Sequence, residues 1–458
     1  MSESDHAFES HPAAQDRIKA VLRAARRMTV VNLRSVESYG ESGNWFASIK
    51  VVAIIVFVVA GLSCAYWLMR DGHSVTLYDA QGPGEGASYG NAGTFANYAC
   101  IPVNNPGVFR NIPRYLFSAT SPLRIRWGDV PALAPWLVRF LLSATPRRYE
   151  GSVNALAQLL ARAFEGYREL LAVDTLAAFV RERECLYLYS SAASFAAAQP
   201  ALSLRRSLGV EFETLARDEI AQLEPGLAPL FEHGTLFKGS WFLSDPRGFL
   251  QALHGLLTDR GLVHRRVAVD TLEPAHSAVK LIDSAGAAHE AEQAIVCAGA
   301  FSGRFARQCG DAIPLGVERG YHVRFPGTTN RISRPCGWAE RGFYMTPMDG
   351  GIRAAGTVEL ASNGAGKNAD LLRLLTRSAQ EALPGLPAPD SDWLGFRPSL
   401  PDGLPVVGAS SRSPRVIYAF GHQHLGVTLG GVTGSLVADL VARRAPSIDL
   451  APYSPRRF

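Results

Sequence analysis

The longest apolar run in the chain is Val51 to Met69 (VVAIIVFVVAGLSCAYWLM), bounded by Lys50 and Arg70. Read as one helix it is 19 residues long and would span about 28 Å, close to the hydrocarbon thickness of a bilayer. The residues that follow support another division. Asp71-Gly72-His73 forms a turn, and Ser74 to Asp79 (SVTLYD) alternates, is rich in β-formers and ends on an acid. Strand at Val51 to Ile55, apolar helix, turn and acid-ended strand make a βαβ unit, the layout of a dinucleotide-binding fold whose acid bonds a ribose hydroxyl. Withdrawing the run into a bilayer would uncover the strands at 74–79 and 293–298, which favours the sheet.

Downstream, helical spacing of apolar residues appears at Leu133 to Leu142, Val153 to Ala172 and Pro246 to Gly261. Strands are expected at Cys185 to Ser190, Val263 to Val269, Glu292 to Ala298, Gly320 to Phe325, Gly342 to Thr346, Gly351 to Gly356 and Val416 to Phe420. Residues 12–27 read as an Ala-rich basic helix outside the core. This order predicts an α/β fold, α+β overall, in which a Rossmann-like nucleotide domain is interleaved with a strand-rich substrate domain. The expected division is an extension at 1–48, a nucleotide domain from 49–110, 245–310 and 390–458, and a substrate domain from 111–244 and 311–389.

At 458 residues and 47% hydrophobic, the chain is neither a disordered tail nor a small stapled module. The net charge of +5 comes without a long Lys/Arg run, so nucleic acid is not an expected partner. Cys64, Cys100, Cys185, Cys297, Cys309 and Cys336 form no CxxC pair, which argues against a zinc ribbon or redox dithiol and fits a reducing cytoplasm. No metal is expected. Met1 to Ser10 lack the apolar core of a secretory signal.

The chemistry concentrates near the C-terminus. Gly395-Phe396-Arg397-Pro398-Ser399-Leu400-Pro401-Asp402-Gly403-Leu404-Pro405 holds an arginine in a proline-ordered segment, suited to clamping a carboxylate. In Gly421 to Thr428 (GHQHLGVT) a strand passes through glycines into a helix starting near Gly426, whose amides can face a negative group. An ordinary strand-to-helix turn would look the same. Together these segments resemble the closing motifs of the D-amino-acid oxidase-type flavin family, above all its bacterial D-amino-acid dehydrogenase and glycine oxidase branches. The resemblance covers roughly residues 59–450. It extends to Gly86 to Thr94 (GASYGNAGT), Asp245-Pro246-Arg247, Ala298 to Ser302 (AGAFS) and Glu318 to His322 (ERGYH).

The resemblance implies noncovalent FAD and a mostly antiparallel substrate sheet covering the flavin ring. It implies oxidation of the CH–NH group of a small D-amino or related amino acid to the imino acid, with hydride passing to flavin. Arg397 would anchor the substrate carboxylate, His424 would be a second polar site residue, and Tyr344 and Tyr321 would be phenols over the substrate. His422 reads as structural and Asp402 as a turn residue. Cofactor contacts would come from Gly61, Asp79, Ser88, Asn91, Ala92, Gly93, Thr94, Val267, Ala298, Gly299, Gly395, Gly421, Gly426, Val427 and Thr428. Oxygen or a membrane quinone would reoxidise the flavin. The dehydrogenase branch implies contact with the inner face of the cytoplasmic membrane.

One feature departs from the family. Counting back from Gly61 as the third glycine of G-x-G-x-x-G, the first two positions are Val56 and Val58. Branched side chains there stand where the turn needs glycine and where the backbone approaches pyrophosphate. Residues 28–61 resemble a loop and helix of bacterial amino-acid permeases, which suggests a fusion with its join near Ala60-Gly61. The alternative function is therefore a flavin-free remnant, tethered to a membrane if 51–69 were a span.

Overall fold

The computed structural model describes residues 51–56, 59–107 and 121–458. The expected helix at 12–27, most of the permease-like stretch and Val58 lie outside the described residues. Val51–Val56 is a strand (β1), Val59–Arg70 a helix (α1) and Ser74–Tyr78 a strand (β2). The 51–69 run is thus two elements. Its first six residues are dominated by Val and Ile, which suit a pleated surface, whereas the Ala, Leu, Cys and Met that follow suit a helix. Among the described residues no helix is long and apolar enough to cross a membrane.

β1 lies inside a six-stranded sheet ordered Val263–Arg265, β2, β1, Gln293–Cys297, Val416–Phe420, Val406–Ala409. The first five strands are parallel and the last is antiparallel. Ala53 pairs with Thr76 on one side and with Ala294 on the other. Val52, Ala53, Ile54, Ile295 and Val296 are each at most 1% exposed, as expected of strands covered on both faces. α1 packs tightly on the C-terminal helix Gly426–Val441. The approach requires glycine: a Cβ on Gly434 would lie 2.6 Å from the Ser63 carbonyl oxygen.

The second sheet has nine strands. Eight run in the order Ser391–Ser399, Gly316–Pro326, Gly351–Leu360, Phe343–Met348, Cys336–Trp338, Cys185–Tyr189, His233–Phe237, Phe212–Ala216, and Leu123–Ile125 pairs with Gly351–Leu360. Most pairings are antiparallel; the exceptions are Cys336–Trp338 with Cys185–Tyr189 and the Leu123–Ile125 pairing. We label Gly316–Pro326 β3, Gly351–Leu360 β4 and Ser391–Ser399 β5. One face packs Val323, Phe325, Met345 and Ile352 against Leu375 and Ala379 of the helix Ala369–Ala382. The other face carries the candidate site.

Three expectations are corrected. Val263 to Val269 is two strands: Val263–Arg265 in the parallel sheet and Val269–Pro274 in a separate three-stranded sheet, the chain turning where Val267 N–H donates to Arg265. Val153 to Ala172 divides between the helices Pro146–Ala161 and Ala163–Arg168. The break swings Gly166 against the C-terminal helix, where a Cβ would lie 2.1 Å from Val432 N. Third, β5 belongs to the nine-stranded sheet although it opens the 390–458 segment expected in the nucleotide domain; its ladder with β3 fixes it there.

Candidate active site

Directly paired residues of an antiparallel ladder share a face. Glu318, Gly320 and His322 of β3 therefore line up with Arg397, Gly395 and Trp393 of β5. His322 and Trp393 stack with ring centroids 5.4 Å apart. Arg397 reaches past β3 altogether and donates from Nη1 to the Thr357 carbonyl of β4 at 3.0 Å. It can do so because it passes over Gly320, where a Cβ would stand 2.4 Å from the guanidinium carbon. The acceptor is also specially placed. The register between β3 and β4 shifts between Arg319 and Tyr321, and within this bulge Thr357 adopts φ 58. A left-handed threonine costs on the order of 1–3 kcal/mol, so the surrounding ladder must hold the carbonyl toward Arg397.

His424 arrives from the other sheet. Gly421 has φ 85 and Gln423 φ 51, and Gln423 N–H donates to the Pro398 carbonyl at 3.0 Å, clipping the turn to the end of β5. The His424 side chain is accessible, yet surrounding protein and the Arg397 charge hold its pKa down to about 4. A ring that is accessible yet strongly desolvated stands in a recess rather than on an open surface. Glu318 and Arg397 show the same combination of partial accessibility and desolvation. Burial raises the Glu318 carboxyl against the opposing pull of Arg397. Trp136, on the helix Val130–Ser143 (α2), bounds the far end and donates to the Ser399 carbonyl at 3.3 Å.

Tyr344 lies on this same face, level with Ala355 and His322 along the ladders. Its hydroxyl is hydrogen-bonded to that of Tyr187, and burial raises its pKa, so it is a neutral phenol at ordinary pH. Tyr321 does not join it. Its odd position on β3 turns it to the opposite face, where it donates to Glu359 Oε2 at 2.5 Å and accepts from Asn368 N at 3.1 Å. The expectation that Tyr321 covers substrate is therefore corrected: its hydroxyl anchors the helix Ala369–Ala382. His422 is structural, bonded to Thr433 Oγ1 at 2.9 Å. Asp402 holds its turn, accepting from Leu404 N and pairing with Arg457 at 2.7 Å.

In the sequence Glu318 and Gly320 stand out only within ERGYH, and Thr357 carries no signal. The ladder with β5 reveals the first two, and backbone strain reveals the third.

The dinucleotide residues follow the parallel sheet. Asp79, at the end of β2, is 6% exposed and accepts from Gln81 N at 2.9 Å; burial raises its pKa to about 7. A carboxylate desolvated this strongly, with one side-chain hydrogen bond, suits a ribose hydroxyl donor. Ser88 Oγ accepts from Val59 N at 3.3 Å, so the 88–94 loop is docked on the first turn of α1, where a pyrophosphate would lie. Asn91 Oδ1 accepts from Gly93 N at 2.7 Å, and Gly93 has φ 74. A Cβ on Gly93 would lie 2.7 Å from the Leu243 carbonyl oxygen. Ala92 is partly accessible beside them, and Thr94 Oγ1 is buried without a partner.

Ala298 and Gly299 end the strand Gln293–Cys297, Gly299 at φ 53, and Val267 is half-buried beyond Val263–Arg265. Gly61 is buried within α1. Gly426 opens the C-terminal helix with no atom closer than 4.0 Å to an added Cβ. Three of the expected contacts are engaged inside the protein. Thr428 Oγ1 accepts from Ala96 N at 2.9 Å, Val427 O accepts from Tyr167 at 2.5 Å, and Gly395 leaves room for Trp393, whose ring an added Cβ would approach to 1.8 Å. The desolvated acid at the ribose end, with a single hydrogen bond to its carboxylate among the described residues, and the open helix start with the glycine loop at the ring end fit FAD.

A doubly covered parallel sheet joined to an antiparallel sheet whose arginine-bearing face meets the glycine loop defines a flavin-dependent oxidoreductase. Comparison with known proteins agrees: the chain belongs to the DAO family of FAD dependent oxidoreductases, which matches residues 59–440. It is 36% identical over 419 residues to a D-amino-acid oxidase of Bradyrhizobium diazoefficiens, covering 89% of this chain and 98% of that one. It is 31% identical to D-amino acid dehydrogenase 2 of Ralstonia nicotianae, covering 89% and 100% respectively. In structure it resembles glycine oxidase from Geobacillus kaustophilus, with a TM-score of 0.68, 23% identity and coverage of 89% and 99%. The family match begins at residue 59, so it lends no support to a permease origin for residues 28–58.

Proposed function

We propose that the protein oxidises the CH–NH group of a small D-amino acid, or a related amino acid, to the imino acid. The observation that carries this reading is Arg397, laid over Gly320 and anchored through Nη1 on Thr357 O, with no other hydrogen bond from its guanidinium among the described residues. The relatives named as D-amino-acid oxidase and dehydrogenase support the substrate class.

Arg397 fixes the substrate by its carboxylate, and His424, neutral because of its depressed pKa, bounds the recess without adding charge. Tyr344 and Tyr187 supply neutral hydroxyls on the wall; Trp136 limits entry of water at the end. FAD, when bound, supplies the acceptor for the hydride leaving Cα. Asp79, Ser88, Asn91, Ala92, Gly93, Thr94, Val267, Ala298, Gly299, Gly421 and Gly426 hold it, with Gly61 letting α1 pack beneath. The protein's own contribution is orientation and electrostatics. Among the described residues, the nucleotide part takes in 51–56, 59–107, 245–310 and the chain after Ser399, and the substrate part is built on the nine-stranded sheet. Turnover of a panel of D-, L- and N-methyl amino acids, with the oxo-acid product measured, tests the reading. Arg397→Gln should abolish turnover of D-amino acids, and equal turnover of amines without a carboxylate would refute the anchor.

A quinone held in a membrane is the electron acceptor we favour. α2 buries none of its apolar side chains fully and leaves Val138 and Leu142 55% and 51% exposed, and Trp127 in the turn leading into it is 62% exposed. Arg124, Arg126, Arg139, Arg147 and Arg148 flank them against the single acid Asp129 in residues 121–148. An apolar ridge in a basic surround suits the interface of an anionic bilayer. Co-sedimentation with vesicles containing phosphatidylglycerol, absent with phosphatidylcholine alone, is expected; no sedimentation with either refutes it.

A further inference from the structure

Glu318 is the cross-strand partner of Arg397, yet among the described residues the two do not close into an ion pair. Direct partners on such a ladder have Cα atoms only about 4.5–5.5 Å apart, so the separation needs a cause. The cause is Gly320: Arg397 leans over it toward Thr357 O, away from Glu318. Ser399, diagonal to Glu318 on the same face, turns its hydroxyl toward that carboxylate and, with Arg397, opposes the rise that burial causes. Opposite charges thus stand side by side on the wall of one recess, each partly accessible and neither satisfied by the other.

We propose that Glu318 binds the substrate ammonium while Arg397 binds its carboxylate, and that Glu318 takes the ammonium proton before oxidation. This rests on the proposed amino-acid oxidation and adds the group that recognises nitrogen. In the transfer one N–H bond breaks, its electron pair stays on nitrogen, and an O–H bond forms on the Glu318 carboxylate. The amine left behind has the lone pair that hydride departure from Cα requires, and no further reactant is consumed. The charged group facing Glu318 is Arg397 on β5, and His424 on the 421–425 turn lies within the field of the same Arg397. Arg397 stays charged and His424 neutral through the neutral range, so Glu318 is the proton acceptor available there. The pair also sets specificity: a carboxylic acid without an amine gains only the Arg397 half of the contact.

The experiment compares wild-type holoenzyme with Glu318→Gln and Glu318→Asp, using D-alanine and its deamino analogue propionate. Binding is read from perturbation of the flavin absorbance, and kcat and KM from turnover across pH. In Glu318→Gln, D-alanine should bind about ten-fold or more weakly while propionate binds as in wild type. Its kcat/KM should recover as pH rises and free amine accumulates, and Glu318→Asp should retain part of the neutral-pH rate. Equal loss of both ligands would mark Glu318 as a structural residue and overturn the assignment, as would unchanged D-alanine affinity and pH profile. A wild-type holoenzyme that oxidises no amino acid would overturn the proposed reaction itself, and this assignment with it.

Discussion

Replacing Gly320 by alanine separates the fold from the site. The new Cβ would stand 2.4 Å from the Arg397 guanidinium carbon and from Nη2, and 2.7 Å from Nε. No carbon tolerates that distance, but the obstacle is the far end of a flexible side chain rather than backbone. The guanidinium therefore moves and the strands do not. Stability loses the hydrogen bond to Thr357 O, about 1 kcal/mol, partly returned by the reduced backbone freedom of alanine in the unfolded chain. Function loses more. A displaced guanidinium forfeits charge-assisted bonds to the substrate carboxylate worth about 1.5–3 kcal/mol, a drop in kcat/KM of roughly 10- to 150-fold. Steady-state kinetics with D-alanine beside thermal unfolding of Gly320→Ala measures both. If kcat/KM falls less than three-fold with folding intact, Arg397 does not act from the observed position. If the protein instead unfolds, the ladder rather than the side chain is what the glycine serves.

Two further outcomes follow from the nucleotide end. Asp79 has its pKa raised to about 7 by burial, above the value in an unfolded chain. Its contribution to apoprotein stability is therefore full in acid and is lost as pH rises from the ordinary carboxylate range through about 7. A ribose donor favours the ionised form, so FAD should bind more tightly as pH rises through that range, and Asp79→Asn should flatten both profiles in calorimetry and FAD titration. The paired change Val56→Gly and Val58→Gly should raise the FAD bound per chain after purification, because it restores the glycines that the G-x-G-x-x-G pattern uses for close approach to pyrophosphate. Unchanged occupancy, read from visible absorbance, would show that these positions do not limit the pyrophosphate.

Several features were legible because they rest on local chemistry. Val51 to Ile55 reads as a strand from its branched residues, and Ser74 to Asp79 from alternation ending on an acid; the sheet pairs both as expected. Arg397 stands out by its proline-ordered segment, and the ladder sets it opposite Glu318 and over Gly320. What escaped depends on long-range register. Tyr321 and His322 are adjacent, and only the pairing of β3 with β5 and β4 decides which of them faces the recess. The same parity makes Glu318 a wall residue. Thr357 carries no local signal: its left-handed backbone is imposed by a bulge, and threonine is a residue that sequence reasoning places in ordinary extended strand. Gly395 looked like a cofactor glycine, but its purpose is visible only once Trp393 is seen folded over it.

The most direct test is anaerobic. FAD-loaded protein is mixed with D-alanine, D-proline and glycine without oxygen, and the visible flavin band is followed alongside the Arg397→Gln variant. At least one of these amino acids should bleach the wild-type band, with the variant unbleached at the same concentration. A chain that retains FAD but is bleached by none of them, or whose variant bleaches as fast as wild type, would contradict amino-acid oxidation at this recess.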